Sequence, residues 1–420
     1  MYGIAVMGYG VVGSGVAEAL RTNSGHILNR TGEQITVLKI LDIYSYPDSP
    51  DAHLITHDVN DIMRNDDIKI VVETIGGVGV AHQFTKMAFE NGKHVVTSNK
   101  DLVAAYGPEL LRMADENNVL YLFEASVGGG IPIIRPLERC LIANEIDEIV
   151  GILNGTTNYM LTYMREFGSD FGTALKLAQE KGYAEKDPTS DVEGHDARRK
   201  IAILSSIAYG AFVDHEELYS QGISNIGLED IYMAEELGYV IKLIARSKRV
   251  GDKAFCAVYP MMIDKRIMLS NVDWVYNGIL VKGNIVGDVM FYGRGAGKLP
   301  TASAVVSDIV DIMEYGQTKK NYKWDRGNKL KLADAADEHN RFYARVEAAD
   351  RNGLIDAILR EFPDASVLPA KAGGGSEGAA SFTTNAMKER EFMQRLESVK
   401  NSAEGYKAHN YIRIYSEGGD

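Results

Sequence analysis

The first thirteen residues restrict this chain more than any others. Residues 4–7 form a short apolar run, Gly8-Tyr9-Gly10-Val11-Val12-Gly13 follows without a break, and Val16, Ala19 and Leu20 then recur at helical spacing. That pattern predicts a strand, a glycine turn and a helix. The glycines permit a tight turn and close approach of a ligand to the backbone, while the helix behind them offers free N–H groups and the positive end of its dipole. Alone, a G-x-G-x-x-G is a weak signal. With the strand before it and the helix after it, it points to a doubly wound α/β domain holding the pyrophosphate of a dinucleotide. Gly8, Gly10, Val11, Val12 and Gly13 are its candidate contacts.

Further strands are expected at residues 36–41, 68–75, 94–97 and 119–123, with a helix over 85–91. Asp42 closes the first of these runs, where an acidic residue holds ribose hydroxyls and repels a 2′-phosphate. It lies further from Gly13 than the usual ~20 residues, which fits a polar insertion at 23–32. No basic residue stands in Ile43-Tyr44-Ser45, so the reading leans to NAD over NADP, with a merely solvated aspartate as the alternative. Lys100 falls just past a strand end on the ligand side of such a sheet; the alternative is a solvated loop cation. Glu124-Ala125-Ser126-Val127-Gly128-Gly129-Gly130-Ile131-Pro132 is either a tight connection or a carboxylate followed by bared backbone, the donor set of a hard cation.

A second dense stretch runs G-Y-A-E-K-D-P-T-S-D-V-E-G-H-D-A-R-R-K-I-A-I over residues 182–203. Pro188 and its small polar neighbours predict a loop, and from His195 the apolar spacing predicts a helix. Asp196 and Lys200 stand four apart, so one helical turn aims a carboxylate and an ammonium at the same spot, within reach of Glu185 and Asp191 from the loop. On a surface helix such a pair is ordinary. Four acids and two glycines at fixed offsets ahead of an apolar helix are not.

The stretch A-Q-E-K-G-Y-A-E-K-D-P-T-S-D-V-E-G-H-D-A-R-R-K closely resembles the signature of homoserine dehydrogenases. The resemblance continues through G-Y-G-V-V-G, G-I-L-N-G-T-T-N-Y-M at 151–160 and F-Y-G-R-G-A-G-K-L-P-T-A-S-A-V-V at 291–306. It implies NAD(P)-dependent interconversion of aspartate 4-semialdehyde and homoserine. Carried over residue by residue, it implies Lys200 and Lys100 as catalytic lysines, and Glu185, Asp191 and Asp196 as substrate-binding acids. To the cofactor contacts it adds Asp42, Thr74, Ser98, Lys100, Gly182 and Gly297. It further implies a structural sodium-like monovalent cation held by Glu124 with backbone groups of Val127, Gly129 and Ile131. Lysine is a poor acid–base group at neutral pH unless burial or a second cation shifts it; two lysines converging on one aldehyde oxygen answer that need.

The remaining chain fills out three domains: a dinucleotide-binding domain over 1–134 with a returning helix at 300–316, an α+β substrate domain over 135–299, and, past a charged linker at 317–340, a C-terminal module over 341–420. In the substrate domain strands are expected at 148–153, 255–262, 274–281 and 285–292, with helices at 159–167, 173–181, 200–209 and 228–248. Gly293 to Lys298 offers three glycines and two cations as an anion nest, with a flexible loop as the alternative. Residues 341–420 read β-α-β…α-β, a ferredoxin-like order with a turn at 350–353, and resemble the ACT regulatory module of many bacterial members of the family. Asn352-Gly353 where Pro-Gly is typical, together with the glycine insert at 373–375, leave threonine as an effector to be tested.

A formal charge of −13 argues against nucleic acid or an anionic membrane as partner. No apolar run is long enough to span a membrane and no signal peptide is visible, so the cytoplasm is the expected location. Cys140 and Cys256 match no metal spacing and read as buried free thiols in a reducing compartment. The chain opens on the cofactor strand, so no kinase segment is expected ahead of it, and a homodimer or homotetramer is the expected assembly. Two rival readings stand beside this one. An aspartate-semialdehyde dehydrogenase needs a nucleophilic cysteine in a suitable turn, which neither cysteine occupies; a non-catalytic sensor would have no use for an intact acid and lysine set.

Overall fold

The computed structural model describes residues 2–316, 318, 320–324, 329–369 and 378–415. The chain divides into two compact units: residues 1–148, 199–217 and 281–330 form the first, and 149–198, 218–280 and 331–420 the second.

The first unit is built on a parallel sheet of six strands: β1 (Tyr2–Met7), β2 (Ile35–Leu41), β3 (Ile55–Thr56), β4 (Ile68–Glu73), β5 (His94–Thr97) and β6 (Tyr121–Leu122). They lie in the order β3-β2-β1-β4-β5-β6. This is the doubly wound order, whose direction reverses between β1 and β4 and leaves a crevice at the strands' C-terminal ends. Ile4, Val6, Ile70, Val72, Val95 and Val96 are fully buried, as strands covered on both faces require. The connecting helices are α1 (Val11–Thr22), α2 (Ser24–Thr31), α3 (Asn60–Met63), α4 (Gly79–Glu90) and α5 (Lys100–Glu116). The stretch 23–32, expected as a polar insertion, is largely the helix α2. Lys100, expected just past the end of the strand at 94–97, is the first helical residue of α5.

The second unit contributes helices α6 (Gly155–Phe167), α7 (Phe171–Glu180) and α8 (Thr189–Val192), and most of α9 (His195–Tyr209) lies beyond the division at residue 198. In the chain β7 (Ile146–Ile152) precedes these helices, and β8 (Tyr219–Ser220), α10 (Leu228–Glu236), β9 (Tyr239–Val250), β10 (Lys253–Asp264) and β11 (Tyr276–Gly283) follow; β12 (Gly287–Arg294) belongs to the first unit. The expected helix over 228–248 is wrong in its second half. Gly238 turns at φ +83° and ends α10, and Tyr239–Val250 pairs antiparallel with β10 along its whole length. That stretch mixes β-branched and charged residues with no decisive local period, and a long-range partner decides it. The returning helix, α11 (Lys298–Tyr315), starts earlier than Thr301, with Pro300 in its first turn.

At the C-terminus the order is β13 (His339–Glu347), α12 (Arg351–Glu361), β14 (Ser366–Leu368), β15 (Ala379–Thr383), β16 (Met387–Lys388), α13 (Glu389–Ser402) and β17 (Lys407–Tyr415). Strands β17-β13-β15-β14 are neighbours in that order, all antiparallel, which is a split β-α-β sandwich. Phe342, Leu354, Ile358, Phe382, Phe392 and Val399 make its own core. Its sheet is nevertheless continuous with the substrate sheet, because β17 pairs parallel with β10 at Met261–Arg413 to Ile263–Tyr415. Residues 341–415 therefore do not form a separate compact unit, in contrast to the expected boundary. The turn expected at 350–353 is the start of α12, capped by the Asp350 carboxylate on the Asn352 N–H at 3.0 Å. The glycine insert at 373–375 lies outside the described residues.

Nor is 317–340 a solvated linker where it is described. Tyr322 and Trp324 are buried against Phe123 in the first unit, and Asn321 accepts the Tyr121 N–H at 2.8 Å. Of the two cysteines expected to be buried, Cys256 is, on β10, while Cys140 is exposed. Among the described residues no helix is long and apolar enough to cross a membrane.

Candidate active site

Register sets the cofactor side of the first unit. Met7 is paired with Leu41 and with Glu73, and Glu73 with Thr97. The next residue of each strand, Gly8, Asp42, Thr74 and Ser98, therefore emerges in one row at the C-terminal edge. All four are residues singled out from the sequence.

The glycine turn is tightly built at two of its glycines and open at the third. Gly8 has φ +97°, and a Cβ there would stand 2.6 Å from the Thr74 carbonyl oxygen. A Cβ on Gly13 would be 1.9 Å from the Gly8 oxygen. The Thr74 hydroxyl donates to that same oxygen at 2.8 Å and fastens the turn to β4. Gly10 meets nothing within 4 Å, so the space above it is open. Val11, at the start of α1, is 67% exposed, and Ile43 and Tyr44 are exposed beyond β2. Asp42 belongs to the same constellation: its carboxylate accepts the Tyr9 N–H at 2.6 Å and the Tyr44 N–H at 2.9 Å. The Tyr9 hydroxyl donates to Asp51 at 2.6 Å, and Asp51 pairs with Arg21 at 2.7 Å.

Beyond β4 the loop carries Gly76 and Gly77, both left-handed. Glu73, fully buried, holds it by accepting the Ile75 N–H at 2.8 Å and the Thr97 hydroxyl at 2.6 Å. Burial pushes its carboxyl above the usual carboxylate range. Asn99 donates to the Gly77 oxygen at 2.6 Å and caps α5 by accepting the Leu102 N–H at 3.1 Å. Lys100 thus opens a 17-residue helix. A cation at a helix N-terminus is disfavoured by about 0.3–1 kcal/mol, so stabilising α5 does not account for a lysine here. The residue after it, Asp101, pairs with Arg199 at 2.9 Å. The neighbours of Lys100 and Lys200 are thereby tied together within the first unit.

Glu124 is buried, and its carboxylate accepts the N–H groups of Ile133 at 2.6 Å, Ile134 at 2.9 Å and Arg135 at 2.7 Å. Three donors leave one lone-pair direction on Oε2. Val127, Gly129 and Ile131 are buried beside it in sequence, with Gly128 and Gly129 at positive φ. The turn lies against the loop that carries Gly297. A Cβ on Gly129 would be 2.5 Å from Gly295, and the Gly130 N–H donates to the Arg294 oxygen at 3.1 Å. Gly297, at φ +121°, caps α11. Lys298, one cation of the expected anion nest, pairs with Glu18 at 2.6 Å.

In the second unit Asp191 and Asp196 are brought together by a residue that sequence reasoning passed over. The Asn154 Nδ2 donates to Asp191 at 2.7 Å and to Asp196 at 2.9 Å. Asn154 lies inside the G-I-L-N-G-T-T-N-Y-M stretch, and its only local signal was a cap residue ahead of a helical run. Asp196 is buried, Asp191 half-buried, and Glu185 exposed in the loop after α7. Gly182 turns that loop at φ +72°. Asp196 and Lys200 occupy successive turns of α9.

Family models match the chain over most of its first three quarters: "Homoserine dehydrogenase, NAD binding domain" over residues 8–124 and "Homoserine dehydrogenase" over 132–310. A homoserine dehydrogenase of Neisseria gonorrhoeae is 45% identical over 365 residues, 84% of each chain. The crystal structure of one from Thiobacillus denitrificans superposes with a TM-score of 0.90 at 36% identity, covering 99% of this chain and 98% of that one. A hyperthermophilic archaeal enzyme in complex with NADPH matches 74% of this chain and 97% of its own, with a TM-score of 0.64 at 27% identity.

Proposed function

The chain belongs to the homoserine dehydrogenase family, and on that footing we propose roles for its residues in the NAD(P)-dependent interconversion of L-aspartate 4-semialdehyde and L-homoserine. The nicotinamide supplies or accepts the hydride when it is bound. The turn of Gly8, Gly10, Val11, Val12 and Gly13 carries the pyrophosphate, with Thr74, Ser98, Gly182 and Gly297 as further contacts. Asp42 takes the ribose hydroxyls and favours NAD over NADP. Lys200 gives a proton to the aldehyde oxygen during reduction and removes it during homoserine oxidation, while Lys100 holds and polarises that oxygen. Glu185 and Asp196 hold the substrate ammonium, with Asp191 in support of them.

The observation that supports the two-lysine reading is the Arg199–Asp101 ion pair, which fastens the residue before Lys200 to the residue after Lys100. If the lysines serve one oxygen, their losses are not additive. In a cycle of Lys100→Met, Lys200→Met and the double variant, the double should be little worse than the poorer single. Fully additive losses in kcat would refute a shared oxygen.

A monovalent cation fits the oxygen donors of Glu124 and the backbone of Val127, Gly129 and Ile131, where it would brace the turn against the 293–297 loop. Residues 341–415 serve as an ACT-type regulatory module; their strand order and separate core support this. Inhibition by millimolar threonine is the expected result, and unchanged activity would count against it. The assembly is a homodimer or homotetramer, which light scattering checks.

A further inference from the structure

We propose that Asn154 is a positioning residue for substrate recognition, holding Asp191 and Asp196 as a matched pair of acceptors for the ammonium of the amino-acid substrate. The inference rests on the ammonium reading of those two acids. Two carboxylates that reach for the same nitrogen repel each other when both are ionised, and either separate or share a proton. Here one amide nitrogen lies between them, with a hydrogen directed at each: 2.7 Å to Asp191 Oδ1 and 2.9 Å to Asp196 Oδ2. The orientation of the amide is determined by its other end. Asn154 Oδ1 accepts the Thr157 N–H at 2.8 Å and the Thr157 hydroxyl at 3.0 Å. A flipped amide would aim its oxygen at two carboxylates and its hydrogens at the Thr157 N–H, losing three of the four bonds and keeping only one to the Thr157 hydroxyl.

Asn154 is buried, and its backbone opens α6 as the N-cap. The same side chain therefore does two things with two different atoms: the oxygen ends a helix, and the nitrogen joins the loop acid Asp191 to the helix acid Asp196. Only the second bears on substrate, and the two can be separated by a single isosteric change. In Asn154→Asp the capping oxygen survives, since aspartate caps a helix as well as asparagine does. The donor is replaced by a third acceptor facing the pair. In Asn154→Ala both are lost.

The experiment is homoserine oxidation by the full chain, with KM for homoserine, KM for NAD(P), kcat and thermal midpoint measured for Asn154→Asp, Asn154→Ala and Asp196→Asn. Asn154→Asp is expected to keep its KM for NAD(P) within about twofold, to lower its thermal midpoint because a third carboxylate then faces the buried pair, and to raise KM for homoserine roughly 10-fold or more, the range for losing hydrogen bonds to charged groups. Asn154→Ala should raise KM for homoserine similarly and lower the midpoint as well. If Asn154→Asp leaves KM for homoserine unchanged while Asp196→Asn raises it, Asn154 is a helix cap only and the inference is overturned. If Asp196→Asn leaves that KM unchanged, the ammonium reading itself fails and the inference fails with it.

Discussion

Replacing Gly10 with alanine separates the glycine turn as a piece of structure from the turn as a ligand cradle. A Cβ at Gly10 meets no protein atom within 4 Å, and its backbone is extended at φ −71°, which alanine adopts without strain. Folding should be unaffected or slightly favoured, because alanine restricts the unfolded chain by about 0.4–1 kcal/mol relative to glycine. Gly13→Ala is the opposite case. Its Cβ would overlap the Gly8 oxygen at 1.9 Å and crowd the Thr74 hydroxyl at 2.8 Å, and overpacking of this kind costs about 1–3 kcal/mol. If the space over Gly10 receives the pyrophosphate, a methyl there weakens cofactor binding by a similar 1–3 kcal/mol, roughly 5- to 150-fold in Kd. Fluorescence titration with NADH and NADPH gives the Kd, and a thermal melt gives the stability. The expected pattern is a Gly10→Ala protein with a wild-type melt and weak binding, and a Gly13→Ala protein impaired in both. Wild-type binding by Gly10→Ala would refute the cradle, however well the fold matches.

Two other perturbations have outcomes that follow from the geometry. Asp42→Asn removes the charge and keeps an acceptor for only one of the Tyr9 and Tyr44 N–H groups, which bind different oxygens of the carboxylate. The ratio of kcat/KM for NADH to that for NADPH should fall by roughly 10-fold, in line with one lost charge–phosphate repulsion, and an unchanged ratio would mean that Asp42 does not select the cofactor. Lys242 is buried, donates to Asn158, Val272 and Asp273, and is pushed down by burial to about 8. Its folded-state value lies below the unfolded one, so its penalty is fully present below pH 8 and fades as pH rises toward that of a free lysine. Relative to Lys242→Met, the wild type should gain roughly 1.5 kcal/mol between pH 8 and 9.5; urea melts that show a flat difference would contradict a charged, desolvated lysine.

The first unit was legible because its signals are local. An apolar run, a glycine turn and a 3.6-residue period each lie within a dozen residues, and together they located Gly8 and Asp42, whereas Thr74 and Ser98 came with the family resemblance; register puts all four in one row. What escaped was set by distant partners. Tyr239–Val250 reads locally as the tail of a helix and is a strand only because Lys253–Asp264 pairs with it. Tyr322 and Trp324 sit in a charged stretch and are buried by Phe123, far away in sequence. The site shows the same division. Asp196 and Lys200 are visible from their spacing alone, whereas Asn154 and Glu73 act through partners in other elements. Lys242 looks like any surface helix lysine until its burial is known.

The most direct measurement is single-turnover formation of NAD(P)H from homoserine by Lys200→Met, at saturating substrate and cofactor, beside a titration showing that cofactor still binds. Loss of a positioned acid–base group should slow the step by roughly 10²–10⁴-fold with cofactor binding intact. A rate within threefold of wild type would mean that the amine on α9 carries no proton in this reaction.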